Sequence, residues 1–124
     1  MSKFVITIDG PAASGKGSLS QKISKELNFY YLETGIYYRG FADLFHKNEV
    51  NSGDLTSFIS NLKIKYFEEY IKKNNKKLYS TKVTKLASNL AKNKEIRAFI
   101  VKIQQDMIIT LEKKFNGIIL EGRD

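Results

Sequence analysis

The sequence predicts an α/β fold in which helices flank a small parallel sheet, and three observations favour it. A glycine-rich segment joins a short apolar run to a pattern with helical spacing. A second apolar run follows that helix, and a third stands close to the end of the chain. Because strands connected through helices run parallel in one sheet, we expect an incomplete parallel sheet of about three core strands.

Composition limits the classes of protein to which the chain can belong. It has 124 residues, of which 42% are hydrophobic, enough for one modest core. The lack of cysteine excludes disulfides and thiolate metal sites, and the single histidine, His46, argues against a histidine-built metal site. Because the sequence has no long apolar run and no signal-like N-terminus, we expect a cytoplasmic protein that binds no membrane.

The chain carries a formal net charge of +8, which favours polyanionic ligands without identifying one. Much of the excess lies in the pairs Lys72-Lys73 and Lys76-Lys77, which two asparagines separate. A solvated loop is the simpler explanation for these lysines. The alternative is a basic nucleic-acid-binding module over Lys72 to Lys85, for which the sequence shows no recognised motif.

The first strand is predicted at Phe4–Ile8, a nearly continuous apolar run rich in β-branched residues, with Asp9 at its carboxyl end. A helix is predicted to begin near Lys16 and to end at Asn28. Its apolar side chains recur every fourth residue, at Leu19, Ile23 and Leu27. This apolar stripe is expected to pack the helix on the sheet.

The segment between this strand and this helix has the composition of a phosphate-binding loop. It reads Gly10, Pro11, Ala12, Ala13, Ser14, Gly15, Lys16, Gly17 and Ser18. In the Gly-x-x-x-x-Gly-Lys pattern, backbone N–H groups surround the phosphates of a nucleotide and the lysine ammonium reaches the outer ones. Gly17 stands where the plain pattern has Ser or Thr, so the hydroxyl that can bind Mg²⁺ moves to Ser18. A glycine turn without a ligand is the alternative.

The second strand is predicted at Phe29–Leu32, after which the chain turns through Glu33 and Thr34. Thr34 is a suitable N-cap for the next helix. That helix is predicted from apolar or small residues at helical spacing, at Ile36, Gly40, Phe41, Leu44 and Phe45. Arg39 falls near its first turn, close to the carboxyl ends of the strands, where open α/β folds bind ligands.

The middle of the chain predicts a loop at Asn51–Asp54 and a short helix over about Leu55–Ser60. Leu62–Tyr66 alternates apolar and charged residues, which is typical of a half-exposed strand. We therefore expect a small antiparallel piece at Leu62–Tyr66, followed by a polar stretch through Ser80.

Two helical patterns follow. The first has apolar residues at Val83, Leu86, Ala87, Leu90 and Ala91, and the second at Ile96, Phe99, Ile100, Ile103, Met107, Ile108 and Leu111. Asn116-Gly117 is expected to end the second helix as a left-handed C-cap. Ile118–Leu120 is the predicted third strand, and Glu121, Gly122, Arg123 and Asp124 follow it. Because this strand has no helix after it, we expect the chain to be an N-terminal fragment.

These motifs together resemble bacterial cytidylate (CMP) kinase, a family of nucleoside monophosphate kinases. The matching stretches are Ile8–Ser18, Leu32–Arg39, Ala87-Ser88, Arg97 and Gly122-Arg123-Asp124. The Gly-Lys-Gly-[Ser/Thr] loop is shared among nucleoside monophosphate kinases, whereas Thr-Gly-x-x-Tyr-Arg followed by Gly-Arg-Asp is more specific. The resemblance implies a single partial P-loop kinase-type domain, residues 1–124, with a small inserted monophosphate-binding subdomain over about residues 50–95. The lid and the C-terminal strands of the family have no counterpart in the sequence.

The resemblance also implies a role for each matching residue. Gly10 to Ser18 would form the ATP loop, with Lys16 on the phosphates and Ser18 on Mg²⁺. A second set would bind CMP, namely Thr34, Arg39, Ser88, Arg97, Arg123 and Asp124. Arg39 and Arg123 can each form a bidentate contact with the acceptor phosphate, and with Lys16 they are the implied catalytic residues.

The base of CMP would be recognised by its hydrogen-bonding edge. Asp124 can accept from the amino group of cytosine, while Ser88 and Arg97 donate to the other polar atoms of the ring. Glu121 could hold Mg²⁺ through water, where the family more often has Asp. Glu33 likewise stands where Asp is more usual.

The implied reaction is transfer of the γ-phosphoryl group of ATP to CMP or dCMP, with ATP and Mg²⁺ as cofactors. We expect a monomer that has no specific nucleic-acid partner. Because in the family a lid follows Gly-Arg-Asp, this chain alone is expected to have little or no kinase activity. The alternatives are another nucleoside monophosphate kinase and a nucleotide-binding remnant without catalytic activity.

Overall fold

The structure is a computed structural model, and it describes residues 4–9, 16–111 and 114–122. Three strands lie in this part of the chain: β1 (Phe4–Asp9), β2 (Phe29–Glu33) and β3 (Gly117–Gly122). Its α-helices are α1 (Lys16–Leu27), α2 (Gly35–Lys47), α3 (Leu55–Asn61), α4 (Ile64–Lys73), α5 (Thr81–Leu90) and α6 (Lys94–Leu111). Short 3₁₀ turns occupy Ser52–Asp54 and Lys77–Tyr79.

The three strands form one parallel sheet with the order β1-β3-β2. The predicted parallel sheet is therefore confirmed, and the last strand in the sequence lies in its centre. The central position explains the unbroken apolar run of β3, because Ile118 and Ile119 are almost completely buried. Since all the strands run in one direction, their carboxyl ends meet at one edge of the sheet.

Helix α1 ends where the sequence predicts. Asn28 has φ of 56°, the left-handed conformation that asparagine tolerates after a helix. The hydroxyl of Ser24 donates to the carbonyl of Phe29 at 2.6 Å, which ties the last turn of α1 to the start of β2. Helix α1 packs against β2 and β3 as predicted, but Leu27 of the predicted apolar stripe is 45% exposed.

The predicted strand at Leu62–Tyr66 is wrong, and so is the polar stretch expected after it. The chain forms helix α4 from Ile64 to Lys73. Phe67, Tyr70 and Ile71 of this helix are buried, at the three- and four-residue spacing of one helical face. The alternation covers only five residues, so it predicts the structure less well than the helical spacing of these buried residues. The loop predicted for Lys72-Lys73 is also wrong, because both residues lie in the last turn of α4.

The predicted helix C-cap at Asn116-Gly117 is also wrong. The structure describes α6 as far as Leu111, and Gly117 is the first residue of β3. Asn116 instead contacts the end of α1 and the residue after it. Its backbone N–H donates to the Asn28 carbonyl at 3.1 Å, and its side-chain amide donates to the Leu27 carbonyl at 3.1 Å. Asn116 thus holds the start of the central strand beside the start of β2.

The chain divides into two compact units. The first contains residues 1–35 and 104–124 and holds the sheet; the second contains residues 36–103 and is helical. The second unit has its own set of fully buried apolar side chains: Phe41, Leu44, Phe67, Leu78, Ile96, Ile100 and Ile103. The ring of Phe41 lies within 5.6–6.1 Å of three other phenylalanine rings, those of Phe45, Phe58 and Phe99.

Two helices of the second unit begin with side-chain caps. The hydroxyl of Ser80 accepts from the backbone N–H of Val83 at 3.2 Å, which caps α5. Asn93 Oδ1 accepts from the N–H groups of Glu95 at 2.9 Å and Ile96 at 3.0 Å, which caps α6. These caps satisfy N–H groups that have no partner inside the helix, and they fix where each helix begins.

Candidate functional site

The carboxyl edge of the sheet is where the sequence motifs begin. In the register of the sheet, Asp9 at the end of β1 is the partner of Gly122 in β3, and Glu33 at the end of β2 is the partner of Glu121. The chain leaves β1 into the predicted phosphate loop and leaves β3 into Arg123 and Asp124. The loop residues Gly10, Pro11, Ala12, Ala13, Ser14 and Gly15, together with Arg123 and Asp124, lie outside the described residues.

The rest of the predicted ATP motif lies in the first turn of α1. Lys16 is the first residue of this helix, and Gly17 and Ser18 follow within the same turn. The backbone N–H groups of a first helical turn have no acceptor within the helix, and the helix dipole adds positive potential there. The first turn of α1 is therefore suited to bind an anion. The side chains of Lys16 and Ser18 lie outside what the structure describes.

Glu121 is a buried carboxylate near the carboxyl end of the central strand, with 6% of its surface exposed. The hydroxyl of Tyr31, on the neighbouring strand β2, donates to its Oε2 atom. Its main-chain carbonyl accepts from the Thr34 backbone N–H at 2.9 Å and from the Thr34 hydroxyl at 3.0 Å. The structure thus brings together two residues that the sequence assigns to the site, Thr34 and Glu121.

A magnesium ion bound to a nucleotide keeps several water molecules and takes only one or two ligands from the protein. Across 4–9, 16–111 and 114–122, no three or more Asp, Glu or His side chains are grouped so that they could hold a metal ion. A buried carboxylate such as Glu121 has the chemistry of a group that binds magnesium through water. The donor types therefore fit an ion that arrives with its nucleotide.

Arg39 lies on α2 and is half-buried. Its guanidinium carbon, Cζ, lies over the ring of Tyr79 at 4.9 Å from the ring centre. This distance is within the range of a cation–π interaction, so Tyr79 stabilises the charge of Arg39. Tyr79 belongs to the Lys77–Tyr79 turn of the same unit.

One turn further along α2, Asp43 is buried with 6% of its surface exposed. It accepts a hydrogen bond from the Tyr70 hydroxyl, and Lys77 Nζ lies 3.3 Å from its Oδ2. Burial raises the pKa of the Tyr70 hydroxyl, and the hydrogen bond to Asp43 and the charge of that carboxylate raise it further. Two partners on other elements thus compensate for burying this charge.

Ser88 and Arg97 are exposed and lie on α5 and α6 of the second unit. Ser88 is in the last turn of α5, next to the buried Ala87. Arg97 is in the first turn of α6, and its backbone N–H donates to the carbonyl of the cap residue Asn93 at 3.1 Å. Both side chains therefore stand on capped helices and are open to solvent.

Sequence reasoning did not identify Tyr31, Asp43 or Tyr79. Asp43 gave a signal, because a carboxylate on the apolar face of a helix requires a partner. The sequence around Tyr31 and Tyr79 carries no such signal, because their partners are far away in the sequence: Glu121 for Tyr31 and Arg39 for Tyr79.

None of the helices in the described ranges is both long enough and apolar enough to cross a membrane.

Comparison with known proteins adds an independent observation. The family model described as "Cytidylate kinase" matches residues 6–124. A cytidylate kinase of Mycoplasma pneumoniae is 35% identical over 125 residues, covering 98% of this chain and 55% of the relative. One from Bartonella bacilliformis is 37% identical over 124 residues, covering 100% of this chain and 54% of the relative.

A bifunctional pantoate ligase/cytidylate kinase of Prochlorococcus marinus is 31% identical over 134 residues, covering 98% of this chain and 25% of that longer protein. The chain spans about half the length of the cytidylate kinases that it matches. The family match covers nearly all of the chain, from the first strand through the Gly-Arg-Asp motif. The chain therefore belongs to the cytidylate kinase family.

Proposed function

We propose that this chain is the nucleotide-binding part of an ATP-dependent kinase that transfers the γ-phosphoryl group of ATP to CMP or dCMP. The observation that supports it best is the register of the sheet. Asp9 and Gly122 are neighbours across β1 and β3, so the glycine loop and Arg123-Asp124 leave adjacent strands at the same edge. Family membership supplies the substrate class.

On the ATP side, the backbone of Gly10 to Gly15 would surround the phosphates, and the first turn of α1 would add its N–H groups. Lys16 would neutralise the outer phosphates during transfer. Magnesium enters as part of the Mg·ATP substrate and supplies charge neutralisation. Ser18 would bind the ion directly and Glu121 through water.

On the CMP side, Arg39 and Arg123 would hold the acceptor phosphate. Thr34 also belongs to this side, and the two hydrogen bonds from Thr34 to the Glu121 carbonyl support its position beside the central strand. We assign Ser88, Arg97 and Asp124 to the base, and Ser88 falls within the proposed monophosphate-binding subdomain of about residues 50–95. Catalysis would come from positioning and charge neutralisation more than from a strong base.

Selectivity for cytosine would come from Asp124. A uracil carbonyl in place of the cytosine amino group would remove one hydrogen bond and bring two acceptors together. Because a buried polar group left without a partner costs about 1–3 kcal/mol, we expect CMP to bind about five- to 150-fold more tightly than UMP.

The proposal is tested by equilibrium binding to the 124-residue chain. Isothermal titration calorimetry is carried out with Mg·ATP and with CMP, dCMP, UMP and AMP. We expect CMP and dCMP to bind most tightly among the monophosphates. Lys16→Ala should weaken Mg·ATP at least about tenfold, because it removes a charge-assisted contact, and should leave CMP within about twofold.

Asp124→Ala is the companion variant for the monophosphate site and should remove the preference for CMP over UMP while Mg·ATP still binds. Release of ADP in the presence of CMP, measured by a coupled assay, then reports whether bound substrates react. Equal affinities for CMP, UMP and AMP in the wild type would contradict the proposed substrate. Unchanged Mg·ATP affinity in Lys16→Ala would contradict the proposed loop.

A further inference from the structure

The Lys77–Tyr79 turn contacts helix α2 at two charged residues. The Arg39 guanidinium lies over the Tyr79 ring at 4.9 Å, and Lys77 Nζ lies 3.3 Å from the Asp43 carboxylate. Arg39 and Asp43 are four residues apart, so they lie on one face of α2. One short turn thus contacts both a cation and an anion on the same helical face.

The turn itself is firmly anchored. Leu78, between the two contacting residues, is completely buried with 0% of its surface exposed. Ser80, the next residue after the turn, caps α5 by accepting from the Val83 N–H. Asp43 is in addition held by the Tyr70 hydroxyl from α4. The backbone that carries Tyr79 is therefore fixed on both sides of the tyrosine.

We propose that Tyr79 is a positioning residue for Arg39, which it holds in the orientation that receives the phosphate of the acceptor nucleotide. The proposal rests on the assignment of Arg39 to that phosphate under the proposed function. It adds that Tyr79, a residue of the second unit, contributes to phosphate affinity through Arg39 and not through a contact of its own hydroxyl with the phosphate.

The geometry of the pair is compatible with phosphate binding. An aromatic ring attracts a guanidinium through the flat face of the group, whereas a phosphate accepts hydrogen bonds from N–H groups in its plane. A ring stacked on that face would therefore leave the in-plane N–H groups of Arg39 to the phosphate. Holding a long arginine side chain in one rotamer before the ligand arrives removes part of the entropy cost of binding.

The alternative is that Tyr79 only helps the second unit to fold. Tyr79 is 47% exposed, whereas its neighbour Leu78 is completely buried and supplies packing at this turn. A packing role would alter the affinities for all ligands together or lower stability. A positioning role alters phosphate binding alone.

The test compares Tyr79→Leu, which keeps an apolar side chain, with Tyr79→Phe, which keeps the ring. Calorimetry measures binding of CMP, cytidine and Mg·ATP to each variant, and urea unfolding measures stability. We expect Tyr79→Leu to weaken CMP about two- to fivefold, the effect of losing one exposed cation–π contact. Cytidine, which lacks the phosphate, and Mg·ATP should bind as they do to the wild type. Tyr79→Phe should bind CMP with nearly wild-type affinity.

Two further comparisons isolate the pair. In an Arg39→Ala background, Tyr79→Leu should have no additional effect on CMP affinity, because the residue it positions is gone. Tyr66→Leu is the matched control: Tyr66 is another exposed tyrosine of the second unit, and this variant should bind CMP normally. If Tyr79→Leu does not fold, Tyr79→Met replaces it.

The outcomes separate the two proposals. Failure of Arg39→Ala to weaken CMP would overturn the assignment of Arg39 in the proposed function. If Arg39→Ala weakens CMP but Tyr79→Leu does not, the positioning role is wrong while the function stands. An equal loss for cytidine and CMP, or a loss that persists without Arg39, would also overturn it.

Discussion

Asp43 shows at the level of one residue how this chain accommodates a charge in a helical core. Its carboxylate is buried, and it is compensated by the hydroxyl of Tyr70 and the ammonium of Lys77. Removing one partner of a buried charge leaves the other uncompensated, which costs more than the hydrogen bond itself contributes. Asp43 therefore makes the contact between α2, α4 and the Lys77–Tyr79 turn specific.

Tyr70→Phe tests this network through its pH dependence. We expect the variant to lose about 1.5–3 kcal/mol of unfolding free energy at neutral pH, because a hydrogen bond to a charged group is lost. The folded state raises the pKa of Tyr70, so this hydroxyl stabilises the fold fully below about pH 10, the ordinary tyrosine pKa, and less as the pH rises above it. The difference between wild type and Tyr70→Phe should therefore narrow above pH 10.

Urea unfolding followed by circular dichroism at pH 8 and at several values above pH 10 measures this difference. Tyr30→Phe, at a half-buried position of β2, controls for the loss of a tyrosine hydroxyl. A gap between wild type and Tyr70→Phe that stays constant or widens with pH would contradict the interpretation.

At the level of elements, α2 and α4 approach each other closely at Gly40. A Cβ atom added there would lie 2.6 Å from Cγ1 and 3.0 Å from Cδ1 of Ile71, well inside normal contact distance. Glycine at this position therefore allows the two helices to pack, although glycine weakens a helix by roughly 1 kcal/mol relative to alanine. Packing between helices outweighs local propensity at this position.

Gly40→Ala should lower the unfolding free energy by about 1–2 kcal/mol, since overpacking costs more than the improved helix propensity returns. In an Ile71→Ala background the obstructing side chain is gone, so the same change should become stabilising by up to about 1 kcal/mol. Chemical denaturation of the four proteins of this cycle measures both values. A Gly40→Ala effect of the same sign in both backgrounds would show that Ile71 is not the cause.

The elements also show how far sequence patterns reach. The bounds of α1 could be predicted from its four-residue apolar spacing and from Asn28, because both signals are local. Helix α4 was not predicted, because the short alternation of apolar and charged residues at Leu62–Tyr66 is also the pattern of a strand. In the site, Thr34 and Glu121 were both assigned from the sequence, whereas the hydrogen bonds between them follow only from the register of the sheet.

At the level of the whole molecule, the chain has a net charge of +8, and the lysines that contribute to it have different surroundings. Lys72, Lys73 and Lys76 are exposed, and the first two stand in the last turn of α4, where positive charge is favourable. Lys77, although part of the same run, forms an ion pair with the buried Asp43. Among these four lysines, Lys77 thus has a structural role.

We expect the triple variant Lys72→Gln, Lys73→Gln, Lys76→Gln to bind CMP within about twofold of the wild type and to lose at most about 1 kcal/mol of stability. Lys77→Gln alone should lose at least as much stability as the triple variant, because it leaves the buried Asp43 carboxylate with one partner fewer. Urea unfolding and CMP titration measure both. Binding to random-sequence DNA that survives Lys16→Ala but disappears in the triple variant would instead favour the nucleic-acid-binding alternative.

The sequence by itself determined the class of fold, the places of the three strands, most of the helices and the family. These depend on apolar periodicity, caps and motif spacing, which are properties of neighbouring residues. Only the tertiary structure decided that β3 lies between β1 and β2, that α4 is a helix, and that Tyr31, Asp43 and Tyr79 contact Glu121, Tyr70 and Arg39. The physical reason is that these contacts join residues far apart in the sequence: the two hydrogen bonds span 27 and 90 positions. A pattern among neighbouring residues does not specify which distant residue becomes the partner.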